Sequence, residues 1–264
     1  MANCKIAIHG AAGRMGQRLI VLGMEDSAIT IVSAIDAANH PKLGVDVGEI
    51  AGVGTIGVPL SDTLTKKADV MIDFSSSLAT DRVLASCLEH KTALVLATTG
   101  LSREQEQRVC DASGVIPILW SPNTGLAVNV AMKLAQVAAK SLAGQRVDVE
   151  ILERHHRFKA DAPSGTALKF GEIIAKEMGQ TKHQHGREGR PGERPADEIG
   201  YHAIRVGDNP GEHTIVFAML GELIEITVRV TNRDCYAVGA LSAAKILAQK
   251  SAGLYSMNDM LGFE

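Results

Sequence analysis

The chain has 264 residues, 45% hydrophobic, 22% charged and only 3% aromatic, with a formal net charge of −3. It is long enough to bury one large core or two moderate ones, and its small negative charge gives no general pull toward nucleic acid or anionic membrane. No apolar run approaches the roughly 18 residues of a membrane span, and the N-terminus carries no signal-peptide pattern. Cys4, Cys87, Cys110 and Cys235 are too scattered for a metal or redox pair, so we expect reduced, mostly buried thiols, no metal and a cytoplasmic protein.

In chain order, Cys4 to His9 reads as an apolar, central parallel strand. Gly10-Ala11-Ala12-Gly13-Arg14-Met15-Gly16 follows at once, and Met15, Leu19, Ile20 and Leu22 continue as a helix. Strand, glycine turn and helix form the setting of a dinucleotide fingerprint. Ala12 holds the second glycine position, where its methyl hinders approach of a pyrophosphate only slightly. Thr30 to Ile35 is a second strand. It ends at Asp36, twenty positions beyond Gly16, where a ribose-binding acid belongs.

Residues 37 to 62 read as a glycine-rich surface loop without pattern. Asp69 to Phe74 is a strand, and Ser75-Ser76-Ser77 is expected to cap a helix over Val83, Leu84 and Cys87. Ala93 to Leu96 is a strand ending in Ala97-Thr98-Thr99-Gly100; a helix over Glu104 to Ala112 and a strand over Val115 to Leu119 follow. This alternation predicts a Rossmann-type, doubly wound parallel sheet with ligands off the strand C-terminal ends. The candidate nucleotide contacts are therefore Gly10, Ala11, Ala12, Gly13, Arg14 and Met15, then Asp36, then Ala97, Thr98 and Thr99, and finally Ser121, Pro122, Asn123 and Thr124.

Beyond Pro122 the character changes. Leu126 to Leu142 reads as one amphipathic helix with Val130, Leu134 and Val137 on its apolar stripe, and Val147 to Leu152 as a strand. Glu153-Arg154-His155-His156-Arg157-Phe158-Lys159-Ala160-Asp161-Ala162-Pro163-Ser164-Gly165-Thr166 follows, and then Ala167, Leu168, Phe170, Ile173 and Ile174 at helical spacing. Two readings fit this stretch. It is either a solvated basic turn before an ordinary helix, or a carboxylate or phosphate site. In the second reading Ser164 caps the helix, the N–H groups of Gly165 and Thr166 point outward, and His155 and Lys159 can donate protons.

Residues 180 to 198 are glycine, proline and charge, a long loop of the kind that serves as a lid or oligomer arm; His183 and His185 lie in it without a ligand set that would hold a metal. Ile199 to Arg205, His213 to Met219 and Leu223 to Val230 are strands, and Ile224, Ile226, Val228 and Val230 give one apolar face. Tyr236 to Gln249 is a helix and Leu254 to Phe263 a short tail.

Several of these motifs resemble those of the 4-hydroxy-tetrahydrodipicolinate reductase (dihydrodipicolinate reductase) family. They are Gly10 to Gly16, Asp73-Phe74, Ala97 to Gly100, Asn123 to Asn129, Glu153 to Thr166 and Gly207-Asp208-x-x-Gly211-Glu212-His213. The His-His-Arg-x-Lys-x-Asp-Ala-Pro-Ser-Gly-Thr string is the most specific. The resemblance implies a dinucleotide-binding domain over 1–125 and 235–264. It also implies an α+β substrate-binding and oligomerisation domain over 126–234, whose open mixed sheet builds a homotetramer. It assigns acid catalysis to His155 and Lys159, and binding of a small cyclic dicarboxylate to His156, Ser164, Gly165 and Thr166. The chain departs from the family at Ala97 and Thr124-Gly125, and at Ala37, where some members carry arginine.

Asp36 favours NADH over NADPH as cofactor, because a 2′-phosphate would meet its carboxylate; Arg14, His40 and Lys42 are the cations able to soften that repulsion. Two other classes remain open on the residues alone. One is a different two-domain Rossmann reductase, such as a homoserine-dehydrogenase-like enzyme. The other is a non-catalytic nucleotide-sensing module, which leaves His155 and Lys159 without a task.

Overall fold

The computed structural model describes residues 3–263. One compact unit runs through Leu126 and resumes at Asp234, and the other comprises Ala127–Arg233. Among the described residues no helix is long and apolar enough to cross a membrane.

The first unit is built on β1 (Cys4–His9), α1 (Arg14–Glu25), β2 (Ile29–Ile35), α2 (Val47–Ala51), β3 (Leu60–Ser61), β4 (Val70–Asp73), α3 (Thr80–His90), β5 (Ala93–Leu96), α4 (Arg103–Ser113) and β6 (Pro117–Trp120). Its seven strands lie in the order β12-β6-β5-β4-β1-β2-β3, all parallel, with β12 (Gly253–Tyr255) added at the edge from the end of the chain. This is the doubly wound parallel sheet that the alternation predicts. Because both faces are covered, the strands are apolar throughout: Ile6, Ile8, Val70 and Val95 point to one core, Ala7, Met71, Leu94 and Leu96 to the other. On the first face α7 (Asp234–Leu247) packs beside α1 and buries Ala237, Ala240, Ala244 and Leu247. After β12 the chain ends in α8 (Met257–Leu261), so the expected short tail is a strand and a capped helix turn.

The second unit holds α5 (Leu126–Leu142), β7 (Asp148–His155), α6 (Gly165–Met178), β8 (Lys182–His185), β9 (Glu198–Arg205), β10 (Gly211–Met219) and β11 (Glu222–Val230), with α5 beginning one residue before it. Its mixed sheet has the order β11-β10-β7-β9-β8. β10 is antiparallel to β7 and β11, whereas β7, β9 and β8 run parallel. Helix α6 packs on β7 and β9, over Val149, Ile151, Tyr201, Ile215 and Phe217, all buried. Gly171 of α6 makes this close approach possible, since a Cβ there would fall 1.7 Å from the Tyr201 hydroxyl.

Several local expectations are corrected. The serine run does not cap α3: a 3₁₀ turn over Ser77–Ala79 intervenes, Ser76 makes no side-chain cap bond, and Ser75 turns back onto Asp73. The apolar stripe of α5 lies on its outer face, where Leu134 and Val137 are about half exposed (52% and 51%); the buried face is Val128, Asn129, Ala131, Ala135 and Ala139. Alanine buries little area per residue, so a pattern weighted by hydrophobicity misses a face made of small side chains. The 180–198 loop contains the polar edge strand β8, in which His183 Nδ1 lies 2.8 Å from the Tyr201 hydroxyl and His185 stacks on that ring. Of the four thiols only Cys4 and Cys87 are buried, and Cys110 is exposed.

The 37–62 segment is organised by one carboxylate. Asp46 Oδ1 accepts hydrogen bonds from the amides of Gly48 (2.8 Å) and Ile56 (3.0 Å), and Oδ2 from those of Gly57 (2.8 Å) and Val58 (3.0 Å). Burial acts to raise the Asp46 pKa, but these amides together hold it below the usual carboxylate value. Asp46→Ala strips an acceptor from four donors at once, and we expect a loss of about 1–3 kcal/mol. It should also speed amide exchange at Gly57 and Val58 well beyond the change in β1. Unaltered exchange there would show that the loop is held by something else.

Candidate active site

Strand β7 continues through the residues where the sequence pattern had placed its end. Its buried face carries Val149, Ile151, Glu153 and His155 in strict alternation. Two polar side chains at the end of an apolar row read as a break in the strand, yet here they satisfy each other. Residues two apart on a strand share a face, so the Glu153 Oε2 atom meets His155 Nδ1 in a short, buried contact.

Glu153 has no exposed side-chain surface, and three donors converge on it. Beyond His155, Arg205 Nη2 from β9 lies 2.7 Å from Oε1, and the backbone amide of Ser164 lies 3.1 Å from the same oxygen. Burial tends to raise the Glu153 pKa; the Arg205 hydrogen bond and the adjacent His155 prevail and lower it. For His155 the balance tips the other way. Burial lowers its pKa, Glu153 raises it, Lys159 and Arg205 lower it again, and the net direction is down. His213 of β10 sits edge-on to His155 with ring centroids 5.2 Å apart. Burial and then His155 push its pKa down to about 4, so it forms a neutral wall.

After β7 the chain turns through the basic stretch. Arg157 N donates to Gly207 O (3.0 Å) and Lys159 N to His156 O (3.1 Å). Lys159 Nζ pairs with Asp161 at 2.8 Å, which holds the Asp161 carboxyl below its ordinary pKa, and the lysine side chain is only 22% exposed. The turn passes a cis Ala162–Pro163 bond and delivers Ser164 as the N-cap of α6, its Oγ accepting from Ala167 N at 3.2 Å. Gly165 opens the helix on its exposed side, where an added Cβ would meet nothing within 4 Å. His156 is half-buried, and among the described residues its buried Nδ1 has no hydrogen-bond partner. Cations, an unpartnered imidazole nitrogen and the amides of a capped helix suit an anionic ligand.

In the first unit a cleft of about 660 Å³ is lined by the glycine turn, Asp36 to Ala38, His40, Phe74 to Ser76 and Arg82. The turn is built for close approach. Gly10 has a φ of +76°, and a Cβ on Gly16 would lie 2.2 Å from Gly10 O. Gly13 caps α1, and this cap makes no side-chain hydrogen bond. Asp36 is pinned from two sides: Oδ2 accepts from Ala12 N at 3.0 Å and Oδ1 from Ala37 N at 2.9 Å. Its remaining lone pairs can receive ribose hydroxyls. These features fit a nicotinamide dinucleotide.

The other predicted nucleotide contacts divide by what their side chains already do. Thr98 is buried and gives its hydroxyl to Asp73 Oδ2 at 2.6 Å, whereas Thr99 is exposed. Ser121 bonds Asn123 O at 2.8 Å within the turn, and Thr124 bonds Tyr236 O at 2.7 Å, tying the turn to α7, so both hydroxyls already serve the scaffold. Ala97 is buried, with its amide on Asp73 O at 3.0 Å. Arg14 and Met15 stand at the start of α1, Arg14 exposed. Of the expected cations only His40 lines the cleft.

Sequence reasoning gave no role to five residues that the structure brings in: Glu153, Arg205, His213, His9 and Arg82. Arg82 reaches the cleft from α3, with Nη2 3.2 Å from Asp36 O. His9 is paired with Asp73 at 2.8 Å while its buried Nε2 has no partner among the described residues. An acid and a histidine two apart within an apolar alternation was the one available signal, and it applied to Glu153 alone. The rest meet their partners across strands or helices.

A family profile described as dihydrodipicolinate reductase, N-terminus, matches residues 4–124, and its C-terminal counterpart matches 127–261. A protein of Rhodopirellula baltica named 4-hydroxy-tetrahydrodipicolinate reductase is 55% identical, over 97% of this chain and 95% of its own. One of the same name from Alkalilimnicola ehrlichii is 46% identical over 98% of both. Among solved structures, the dipicolinate-bound dihydrodipicolinate reductase of Paenisporosarcina sp. TG-14 superposes with a TM-score of 0.78 at 26% identity, covering 96% of this chain and 97% of that one.

Proposed function

The chain belongs to the dihydrodipicolinate reductase family, and on that premise we propose that it reduces 4-hydroxy-tetrahydrodipicolinate, a cyclic imine dicarboxylate, to tetrahydrodipicolinate in diaminopimelate and lysine biosynthesis. The first unit holds the nicotinamide nucleotide and the second the dicarboxylate. The observation that carries this reading is the single turn that joins a buried acid–histidine pair, a lysine and a capped helix N-terminus. Reduced nicotinamide, when bound, supplies the hydride. The 4-hydroxyl leaves as water to give a conjugated imine; addition of hydride to one ring carbon of that imine requires a proton at the neighbouring carbon, and His155 and Lys159 deliver it. His156, the Ser164 hydroxyl and the amides of Gly165 and Thr166 take the carboxylates. A sensing module would have no use for this proton-donating pair.

The assembly we propose is a homotetramer formed through the sheet face that α6 leaves uncovered. Leu152, Ile204 and Leu223 are exposed there. On the same face Glu150 is held to a pKa of about 2; burial opposes this, but hydrogen bonds from Arg187, Arg194 and His202 outweigh it. We place the enzyme in the cytoplasm, in keeping with its unpaired thiols.

Substitutions separate the two roles. His155→Ala and Lys159→Ala should each lower kcat by about 10²–10⁴-fold with nucleotide binding intact; near-normal kcat in both would remove them from the chemistry. Gly165→Pro deletes one amide yet suits the first helical position, and Ser164 already has the extended conformation (φ −68°, ψ 153°) that a following proline demands. It should raise KM strongly while Gly165→Ala does not. Equal effects of the two would contradict a carboxylate site at this helix start.

For the cofactor we propose a preference for NADH. Charges about 4 Å apart repel by up to about 4 kcal/mol at an effective dielectric near 20, so a 2′-phosphate is disfavoured beside Asp36. Arg82 and His40 in the same cleft offset part of this. We expect kcat/KM for NADH to exceed that for NADPH by on the order of tenfold, which corresponds to about 1.4 kcal/mol. Asp36→Ala should narrow the gap and Ala37→Arg reverse it; a wild-type enzyme clearly favouring NADPH would show that Arg82 or the other cations outweigh the carboxylate.

A further inference from the structure

We propose that Glu153 is a positioning residue that fixes which nitrogen of His155 carries the exchangeable proton, and that Gly211 keeps that nitrogen uncovered. The inference rests on the reading of His155 as a proton donor and assigns the groups that make it one.

The proton count around Glu153 leaves a single arrangement. The Ser164 amide and the Arg205 guanidinium are obligatory donors, and both point at Oε1. The carboxylate that accepts them is ionised, because Arg205 and His155 outweigh its burial. It has no proton to give, so Oε2 must accept the Nδ1–H of His155. The proton that His155 gains and loses is therefore on Nε2. The residue beside that nitrogen is Gly211 of β10, where a Cβ would lie 2.9 Å from Nε2. Any other residue at position 211 would crowd the reacting atom.

The same carboxylate also sets the charge of the site. The charged and titratable groups around His155 are Glu153 on its own strand, Arg205 on β9, His213 on β10 and Lys159 in the following turn. Asp161 is engaged by Lys159. Of these, Glu153 is the group that favours the imidazolium; Lys159 and Arg205 oppose it, and neutral His213 adds no cation at neutral pH. Through Ser164 N, Glu153 further ties the proton donor to the turn that receives a carboxylate, so donor and anion site move as one piece.

Donation needs protonated His155, so activity is present below its pKa and is lost as pH rises through it. Removing the Glu153 carboxylate lowers that pKa and moves the loss to lower pH.

The test begins with the native protein. Ring ¹⁵N shifts of His155, assigned by the disappearance of its signals in His155→Gln, should show Nδ1 protonated and Nε2 bare at a pH above its titration. The opposite tautomer would overturn the proposal whether or not any variant folds. In Glu153→Gln one carbonyl oxygen must serve three donors, so we expect mixed tautomers, a fall in kcat of about 10²-fold and an alkaline limb of kcat displaced to lower pH. Glu153→Asp keeps the charge at a shorter reach and should restore the limb toward the native position. Gly211→Ala should lower kcat with the Nδ1–H tautomer retained. Native tautomer and native pH limb in Glu153→Gln would overturn the proposal. If His155→Ala alone kept native kcat, the proton-donor reading would fail while the tautomer result stood, so the two failures are distinguishable.

Discussion

A buried carboxylate cannot stand alone, and the second unit is arranged around satisfying one. Breaking a buried ion pair by removing one partner costs about 3–5 kcal/mol. The partners of Glu153 come from three separate places: its own strand, the neighbouring β9, and the start of α6. Satisfying that one charge therefore brings His155, Arg205 and the Ser164 turn together. Strand alternation places the acid and the histidine on one face, parallel pairing of β7 with β9 supplies the guanidinium, and helix capping supplies the amide. The candidate site thus coincides with a constraint that folding already imposes.

The first unit shows a smaller version of the same device. Asp73, at the end of β4 and wholly buried, accepts from Ser75 Oγ (2.6 Å) and Thr98 Oγ1 (2.6 Å) and is paired with His9. His9 ends β1, and Thr98 follows β5. The C-terminal ends of three adjacent strands are thus tied at one carboxylate beside the cleft of the first unit. Thr98 bears the cost of this: its hydroxyl holds the scaffold, and the exposed Thr99 is left as the side chain of that pair able to meet a ligand.

Much of this was legible in the sequence because period and punctuation coincide. Gly10, Gly13 and Gly16 sit between an apolar strand and an amphipathic helix, and Asp36 follows the next strand; both signals are local. Ser164 could be read as a cap because the helical spacing begins just after it. What escaped was non-local or carried by atypical residues. The full length of β7 was hidden because its last two inward residues are charged or polar, and only their contact makes that tolerable. The buried side of α5 was hidden because it is made of alanine. Asp46 organises a segment without pattern through backbone amides ten to twelve residues away, a distance over which composition carries no signal.

The account stands or falls on the chemistry of the turn after β7. The most direct measurement gives the purified protein reduced nicotinamide dinucleotide together with the freshly formed condensation product of pyruvate and aspartate semialdehyde. Consumption of the reduced cofactor is then followed optically. Rapid oxidation, dependent on both carbon substrates and suppressed in the double variant His155→Ala/Lys159→Ala, is the predicted result. A protein that binds the nucleotide but never oxidises it in the presence of that product would contradict the account.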